Sequence, residues 1–269
     1  MHTATYYIDL LLSGITVGSL YALIAIGYTM VYGILRLINF AHGDIFMMSG
    51  FFMIYVSATL PMAVSIPVVL LMTVLLGVLI ERAAYKPLRS APRMSVMISA
   101  IGVSYLLQNL ATYITGGLAR PYPEIPFLKK SFAVGSLNIK IITLLTPVLT
   151  ILLVISLVIF IKHTKTGMAM RAVSKDFDTA RLMGIKVNSV ITVTFIIGSF
   201  LAGVGSILYF TNYGQVSPTI GAMPGLKAFV AAVFGGIGSI PGAVLGAYII
   251  GVCESLIKAN DSIAIFSNA

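Results

Sequence analysis

From Ile141 to Ile161 the chain reads IITLLTPVLTILLVISLVIFI, without one charged residue. About 20 mostly apolar residues is the length a helix needs to cross the hydrocarbon of a bilayer. The same pattern recurs along the chain. Leu10–Leu35, Ile45–Ile80 and Met94–Ile114 are uncharged, and a further uncharged stretch runs from Val187 to Leu226. Pro61 and Pro67 divide the second of these into segments 45–60 and 64–80. The first part of the last, 189–210, reads as a span, and 240–257 reads as a final helix. Pro147 is a site for a kink. Residues 220–237 are Gly-rich, too broken for an ordinary span and too apolar for a loop in water. The end of the chain, KANDSIAIFSNA, is polar and reads as a frayed tail.

These runs make the fold class all-α, a polytopic transmembrane helical bundle with short broken or re-entrant segments. The strands of a membrane β-barrel would alternate polar and apolar residues over about ten positions, and these runs do not. Composition agrees: 58% of residues are hydrophobic and 9% charged, against about one quarter charged in a soluble domain. The mean hydropathy is +1.02. A single cysteine, Cys253, allows no internal disulfide and no Cys-based metal site. The first residues lack a basic region and a small-residue cleavage site, so no cleaved signal peptide is expected.

A net charge of +9 would suggest nucleic acid in a soluble protein. In a membrane chain it reflects basic loops retained in the cytoplasm. Helices 94–114 and 141–161 force loops 81–93 and 162–188 onto one side. Those loops hold Arg82, Lys86, Arg89 and Arg93, and Lys162, Lys165, Arg171, Lys175, Arg181 and Lys186. The intervening loop 115–140 has only Arg120, Lys129, Lys130 and Lys140. The bias makes 162–188 cytoplasmic and 115–140 external, in a single transmembrane domain over 1–269. The side of the N-terminus is left open. Small residues four apart (Gly14 and Gly18, Gly198 and Ala202, Gly242 and Gly246) suggest close helix packing by their repetition.

Polar residues interrupt the apolar pattern in a few places. LRLINFAHGDIF, at 35–46, holds Arg36, Asn39, His42 and Asp44. Two readings are open: a surface turn in which Asn39 or Asp44 caps the next helix, or a broken helix beside a translocation path. His42 and Asp44 have no third ligand nearby, so a metal is not expected. Gln108 and Asn109 in the fourth long helix fit either interhelical hydrogen bonds or the same path. Glu254 reads as an ion pair with Lys258 at i+4. Without a second histidine on a neighbouring span, an intramembrane enzyme has no catalytic constellation.

The segment 171–187, RAVSKDFDTARLMGIKV, is charged between greasy neighbours. As a helix it places Val173, Phe177, Ala180 and Gly184 on one stripe. Asp176 suits the N-cap of 177–183, and Gly184 the left-handed position past its end, with Ile185 supplying the hydrophobic contact. A narrow apolar face bearing both charge signs favours a protein groove over lipid headgroups.

Three stretches, GSLYALIAIGYTMVYGILRLINFAHGDIFM at 18–47, TKTGMAMRAVSKDFDTARLMGIKV at 164–187 and GLKAFVAAVFGGIGSIPGAVLGAYIIGVCE at 225–254, carry a resemblance over nearly the whole chain. The chain resembles the membrane-spanning permease subunit of bacterial ABC importers for branched-chain amino acids, of the high-affinity leucine/isoleucine/valine type. The resemblance implies internal duplication, an inner-membrane location and a homologous second permease. It also implies two cytoplasmic ATPases and a periplasmic solute-binding protein. It makes 162–188 the coupling loop, with Arg171, Asp176, Ala180, Arg181, Gly184 and Ile185 meeting the ATPase. It leaves ATP and magnesium to the partners: the chain has no GxxxxGKS or GxxxxGKT phosphate loop, no cofactor of its own, and no catalytic role is expected. The resemblance implies one further apolar span after the segment ending near Glu254, and this last family helix is expected to be missing from this sequence. A urea or short-amide permease of the same superfamily stays open. So does an ion-coupled carrier, which would need an acidic residue embedded in the membrane; the spans offer none beyond Glu254.

Overall fold

The computed structural model of the chain describes residues 2–89, 91–134 and 137–259, with backbone alone for 2–5, 93, 129, 133–134 and 137–138. In chain order the elements are α1 (His2–Leu35), α2 (His42–Ser57), α3 (Met62–Ile80) running into a π-helical turn (Glu81–Tyr85), α4 (Arg93–Thr115), strand β1 (Arg120–Pro121), the single turn α5 (Pro126–Lys129), strands β2 (Ser131–Val134) and β3 (Leu137–Lys140), α6 (Ile141–His163), α7 (Lys165–Lys175), α8 (Phe177–Leu182), α9 (Val187–Tyr213), strand β4 (Gln215–Val216), α10 (Ala222–Phe234) and α11 (Ile240–Lys258). The tail beyond Ala259, read above as frayed, lies outside the described residues.

Among the described residues six helices are long and apolar enough to cross a bilayer: α1, α3 with its π turn, α4, α6, α9 and α11. They divide by burial. The most apolar stretches of α1 and α9 are 67% buried, against 28%, 22% and 17% for α3, α4 and α6. So α1 and α9 form the centre, and α3, α4 and α6 present their other faces outward. Leu71, Leu75 and Leu79 on α3 and Val148, Leu152, Ile155 and Ile159 on α6 are all exposed. Their spacing of three and four puts each set on one helix face. Such a face outside a bundle is a lipid-facing surface.

Lipid tails are as apolar as leucine, so packing and hydrogen bonds rather than water exclusion hold such helices together. Helix α11 lies antiparallel against α1, with Gly14 at Val252 and Gly18 at Tyr248. A Cβ on Gly18 would stand 2.8 Å from the Tyr248 Cα. All three small-residue pairs noted in the sequence face partners: Gly198 lies against Gly27, and Gly242 and Gly246 lie against Gly235 and Ala231. The Thr16 hydroxyl donates to the Thr143 carbonyl at 3.0 Å, and Tyr21 donates to Glu254 at 2.8 Å.

Both basic loops sit at one end of the bundle. Arg89 hydrogen-bonds Asn188 there and pairs with Glu81. Glu81, fully buried, also accepts from the Thr192 hydroxyl at 3.1 Å. Four residues on, Tyr85 donates to the Asn39 side chain at 2.8 Å. The π turn is thus held by α9 on one side and by the approach to α2 on the other. At the opposite end β1 pairs antiparallel with β4, Arg120 opposite Val216. Helix α6 begins at that opposite end, and its Thr143 meets Thr16, so the N-terminal half of α1 lies away from the basic loops.

Two helices inside the bundle are too short to cross. Helix α2 has 16 residues and α10 has 13, about 24 Å and 20 Å at 1.5 Å per residue. Helix α1 ends with Arg36 at φ 52, and six residues later α2 starts inside the bundle. Most of α2 is buried. Phe46 holds it to α9 by ring contacts with Tyr209 and Phe210 at 5.3 and 5.2 Å, worth about 0.5–1.5 kcal/mol per pair beyond burial. The surface-turn reading of 35–46 therefore fails: Asn39, His42 and Asp44 are each at most 2% exposed. Neither Asn39 nor Asp44 caps the helix, whose N-cap is Ala41 without a side-chain bond.

Candidate functional site

The starts of α2 and α10 meet. A Cβ on Gly43 would fall 2.6 Å from the Gly221 carbonyl oxygen, and one on Gly221 would fall 2.2 Å from that of Gly43. Only residues without side chains allow this approach. From the contact α2 runs away from the basic end while α10 runs toward it. Beside this contact is a half-open cavity of about 430 Å³. Its polar wall includes Asp44, Ser104 and Gln108, and its apolar wall includes Ile101, Leu226 and Phe229. Gln108 Nε2 donates to Asp44 Oδ1 at 3.0 Å and to the Ser104 hydroxyl at 3.2 Å. Neither α2 nor α10 has a side-chain N-cap, so the positive ends of two helices border one cavity.

Of the five residues assigned from sequence to a path, Asp44 and Gln108 line this cavity. Asn39 is buried under Tyr85. His42 packs behind the wall, its ring 4.9 Å from that of Tyr28 and wedged where a Gly27 Cβ would be. Asn109 is exposed and donates to the Tyr105 carbonyl of its own helix at 2.8 Å. Sequence reasoning passed over Tyr28, Ser104, Phe229 and the glycines 43, 221 and 225. Ser104, one turn before Gln108, was the one signal available.

The charged segment is two helices, α7 and α8, not one stripe. Thr164 caps α7, its hydroxyl accepting from the Gly167 amide at 3.0 Å. The chain extends at Asp176 (φ −154) and α8 follows. Asp176 accepts from the amides of Asp178 and Thr179 at 2.8 and 3.1 Å and from the Thr179 hydroxyl at 2.9 Å. The Thr179 amide and hydroxyl, then the Asp178 amide, hold its carboxyl below the ordinary carboxylate range. At the other end Gly184 takes φ 78. Ile185 N–H donates to Ala180 at 3.0 Å and Gly184 N–H to Arg181 at 2.9 Å, the paired closing bonds of a glycine-terminated helix.

Ala180 is buried and Ile185 packs against the core, so these two point into the protein. Arg181 faces out, in a loose 3.8 Å pair with Asp178. Arg171 is exposed on α7 at the rim of a cleft bordered by Gly33, Met170 and Gly238. Two large apolar side chains of the segment project outward, Leu182 and Met183, 88% and 79% exposed. Neither had been singled out from sequence.

Glu254 does pair with Lys258, as expected, and it also takes Lys227 of α10 at 3.0 Å and the Tyr21 hydroxyl. Glu254 is not alone as an acid in the bundle: Glu81 is buried in the span Met62–Tyr85, and Asp44 is buried at the start of α2.

Six lipid-length helices around two broken ones, with a polar cavity at the break, describe a multi-pass membrane protein of the transporter class. The family model for the branched-chain amino acid transport system permease component matches residues 10–264. The chain is 42% identical over 264 residues to the high-affinity branched-chain amino acid transport system permease protein BraD of Pseudomonas aeruginosa, covering 93% of this chain and 86% of the relative. It is 40% identical over 270 residues to the LivH permease protein of the corresponding Escherichia coli system, covering 94% and 87%. A probable LivH of Methanocaldococcus jannaschii is 30% identical over 255 residues, covering 89% and 77%. The chain belongs to the branched-chain amino acid transport permease family.

Proposed function

We propose that the chain is the permease subunit that passes leucine, isoleucine and valine across the bacterial inner membrane. A periplasmic binding protein delivers them, and ATPase subunits drive the step. The observation that carries this reading is identity of 40–42% across more than nine-tenths of the chain to permeases of such systems. In this reading the basic end is cytoplasmic and the N-terminal half of α1 is external. The cavity at the α2–α10 contact is a station on the path. Broken helices meeting inside a bundle are a recurrent way to build such a station, because freed backbone groups and helix ends face the solute. The cavity is half open, and the homologous second permease closes it.

Loop 162–188 docks on an ATPase. Asp176 and Gly184 fix the ends of α8, Ala180 and Ile185 seat it on the bundle, and Arg171 and Arg181 with Leu182 and Met183 meet the partner. ATP binding favours one arrangement of the ATPases, and the docked helix transfers that preference to the permease. The chain itself catalyses nothing and binds no nucleotide; ATP and magnesium reside on the partners.

Uptake of labelled leucine in a strain lacking its own permease tests the reading. The expected result is restored uptake that depends on the ATPase and binding-protein genes. Restored urea uptake without leucine uptake would replace it with the urea-permease reading, and leucine uptake without any ATPase would point to an ion-coupled carrier.

A further inference from the structure

Three acidic side chains are buried among the described residues: Asp44, Glu81 and Glu254. Glu81 holds Arg89, and Glu254 holds Lys227 and Lys258. Asp44 takes part in no ion pair among the described residues, although it is only 2% exposed. Its side-chain hydrogen bonds come from neutral groups, the Gln108 amide and the Ser104 hydroxyl, and fix the carboxylate without balancing its charge. A buried charge is normally paired, since an uncompensated one in a low-dielectric interior is expensive. This one lies on the wall of a cavity large enough for a small ligand. The remaining wall is largely apolar, with Ile101, Leu226 and Phe229 among its lining residues.

We infer that Asp44 is the specificity residue of the path, its carboxylate receiving the ammonium group of the solute while the apolar wall takes an aliphatic side chain. The inference rests on the transport reading above and names the recognising group. It makes the cavity favour a cation-bearing aliphatic ligand. An uncharged amide of the same size leaves Asp44 unpaired and is disfavoured.

The test uses the whole transporter, this chain with its partner permease, ATPases and binding protein, in proteoliposomes. Asp44→Asn keeps size and hydrogen bonding but removes the charge. Losing a hydrogen bond to a charged group corresponds to a drop in leucine uptake of at least about tenfold. Asp44→Glu restores part of the uptake. Wild-type uptake in Asp44→Asn would overturn the inference while leaving the transport reading intact; no leucine uptake by the wild type would sink the transport reading itself. A second measurement needs no variant. Leucine and isoamylamine, which carry an ammonium, raise the melting temperature of the purified permease complex, whereas isocaproate, the carboxylate without the amine, does not. Equal stabilisation by isocaproate, or none by the two ammonium ligands, overturns the assignment.

Discussion

Helix α8 takes both its ends from its own neighbourhood, Asp176 before it and Gly184 after it. Helices α2 and α10 carry no side-chain cap and start where they touch each other, at Gly43 and Gly221. The first is a local structure fastened to the surface of the bundle. The second is a tertiary structure made by two distant parts of the chain. A permease needs both kinds: a handle that keeps its shape while something pulls on it, and an interior that changes only when the packing of whole helices changes.

The largest effect should fall on the tertiary side. Glu254→Ala breaks the largely buried pair with Lys227, and breaking a buried pair costs about 3–5 kcal/mol. A melting curve of the detergent-solubilised complex should show it as a clear fall. Next comes Gly221→Val. Its Cβ meets the Gly43 carbonyl oxygen at 2.2 Å with backbone on both sides, an overpacking worth about 3 kcal/mol, and uptake is lost along with stability.

The same change at Gly184 meets no atom within 4 Å. Its penalty is the left-handed backbone alone, about 1–2 kcal/mol, confined to the end of α8. Gly184→Val should therefore uncouple ATP hydrolysis from uptake while the bundle melts where it did. Asp176→Ala should do likewise, by removing the cap. If either variant lowered the melting temperature as far as Glu254→Ala, the division between local handle and tertiary interior would be wrong.

The cap also carries a pH signature. The Asp176 carboxyl titrates below its usual value in the folded chain, so its stabilisation is complete above the ordinary carboxylate range. It is lost as pH falls through the depressed folded value. Exchange protection of the Asp178 and Thr179 amides should be flat from neutral pH down to that range and fall only below it. The smallest effect on stability belongs to Leu182→Ser, within about 0.5 kcal/mol because the side chain is exposed. Co-purification of the ATPase with this variant should nonetheless drop.

The same contrast explains what could be read from the sequence. The long spans announced themselves through length and hydropathy, which depend on each segment alone. The ends of α8 were legible because a carboxylate reaching back to two amides and a glycine at positive φ involve neighbours only. The split between α7 and α8 was missed because a stripe through Val173 and Ala180 continues on paper across an extended residue. Asp44 was hardest. In 35–46 it has the company of a surface turn, and only the arrival of α10, from far along the chain, shows that the turn lies inside. The β1–β4 pairing has two residues on each side and no pattern to betray it. Ala180 and Ile185 were expected at the ATPase; that they seat the helix while Leu182 and Met183 project depends on where the bundle lies, which spacing does not say.

The π turn at the end of α3 behaves as a bracket. One arm, Glu81, is bolted through Arg89 and Thr192 to the first turns of α9, where the segment 162–188 re-enters the bundle. The other arm, Tyr85, is bolted to Asn39 at the threshold of α2. A tug on the loop thus has a stiff route of a few hydrogen bonds to the helix that carries Asp44, one that bypasses the lipid-facing helices. Loosening the bolt at Asn39 should leave the handle gripped and the lever slack.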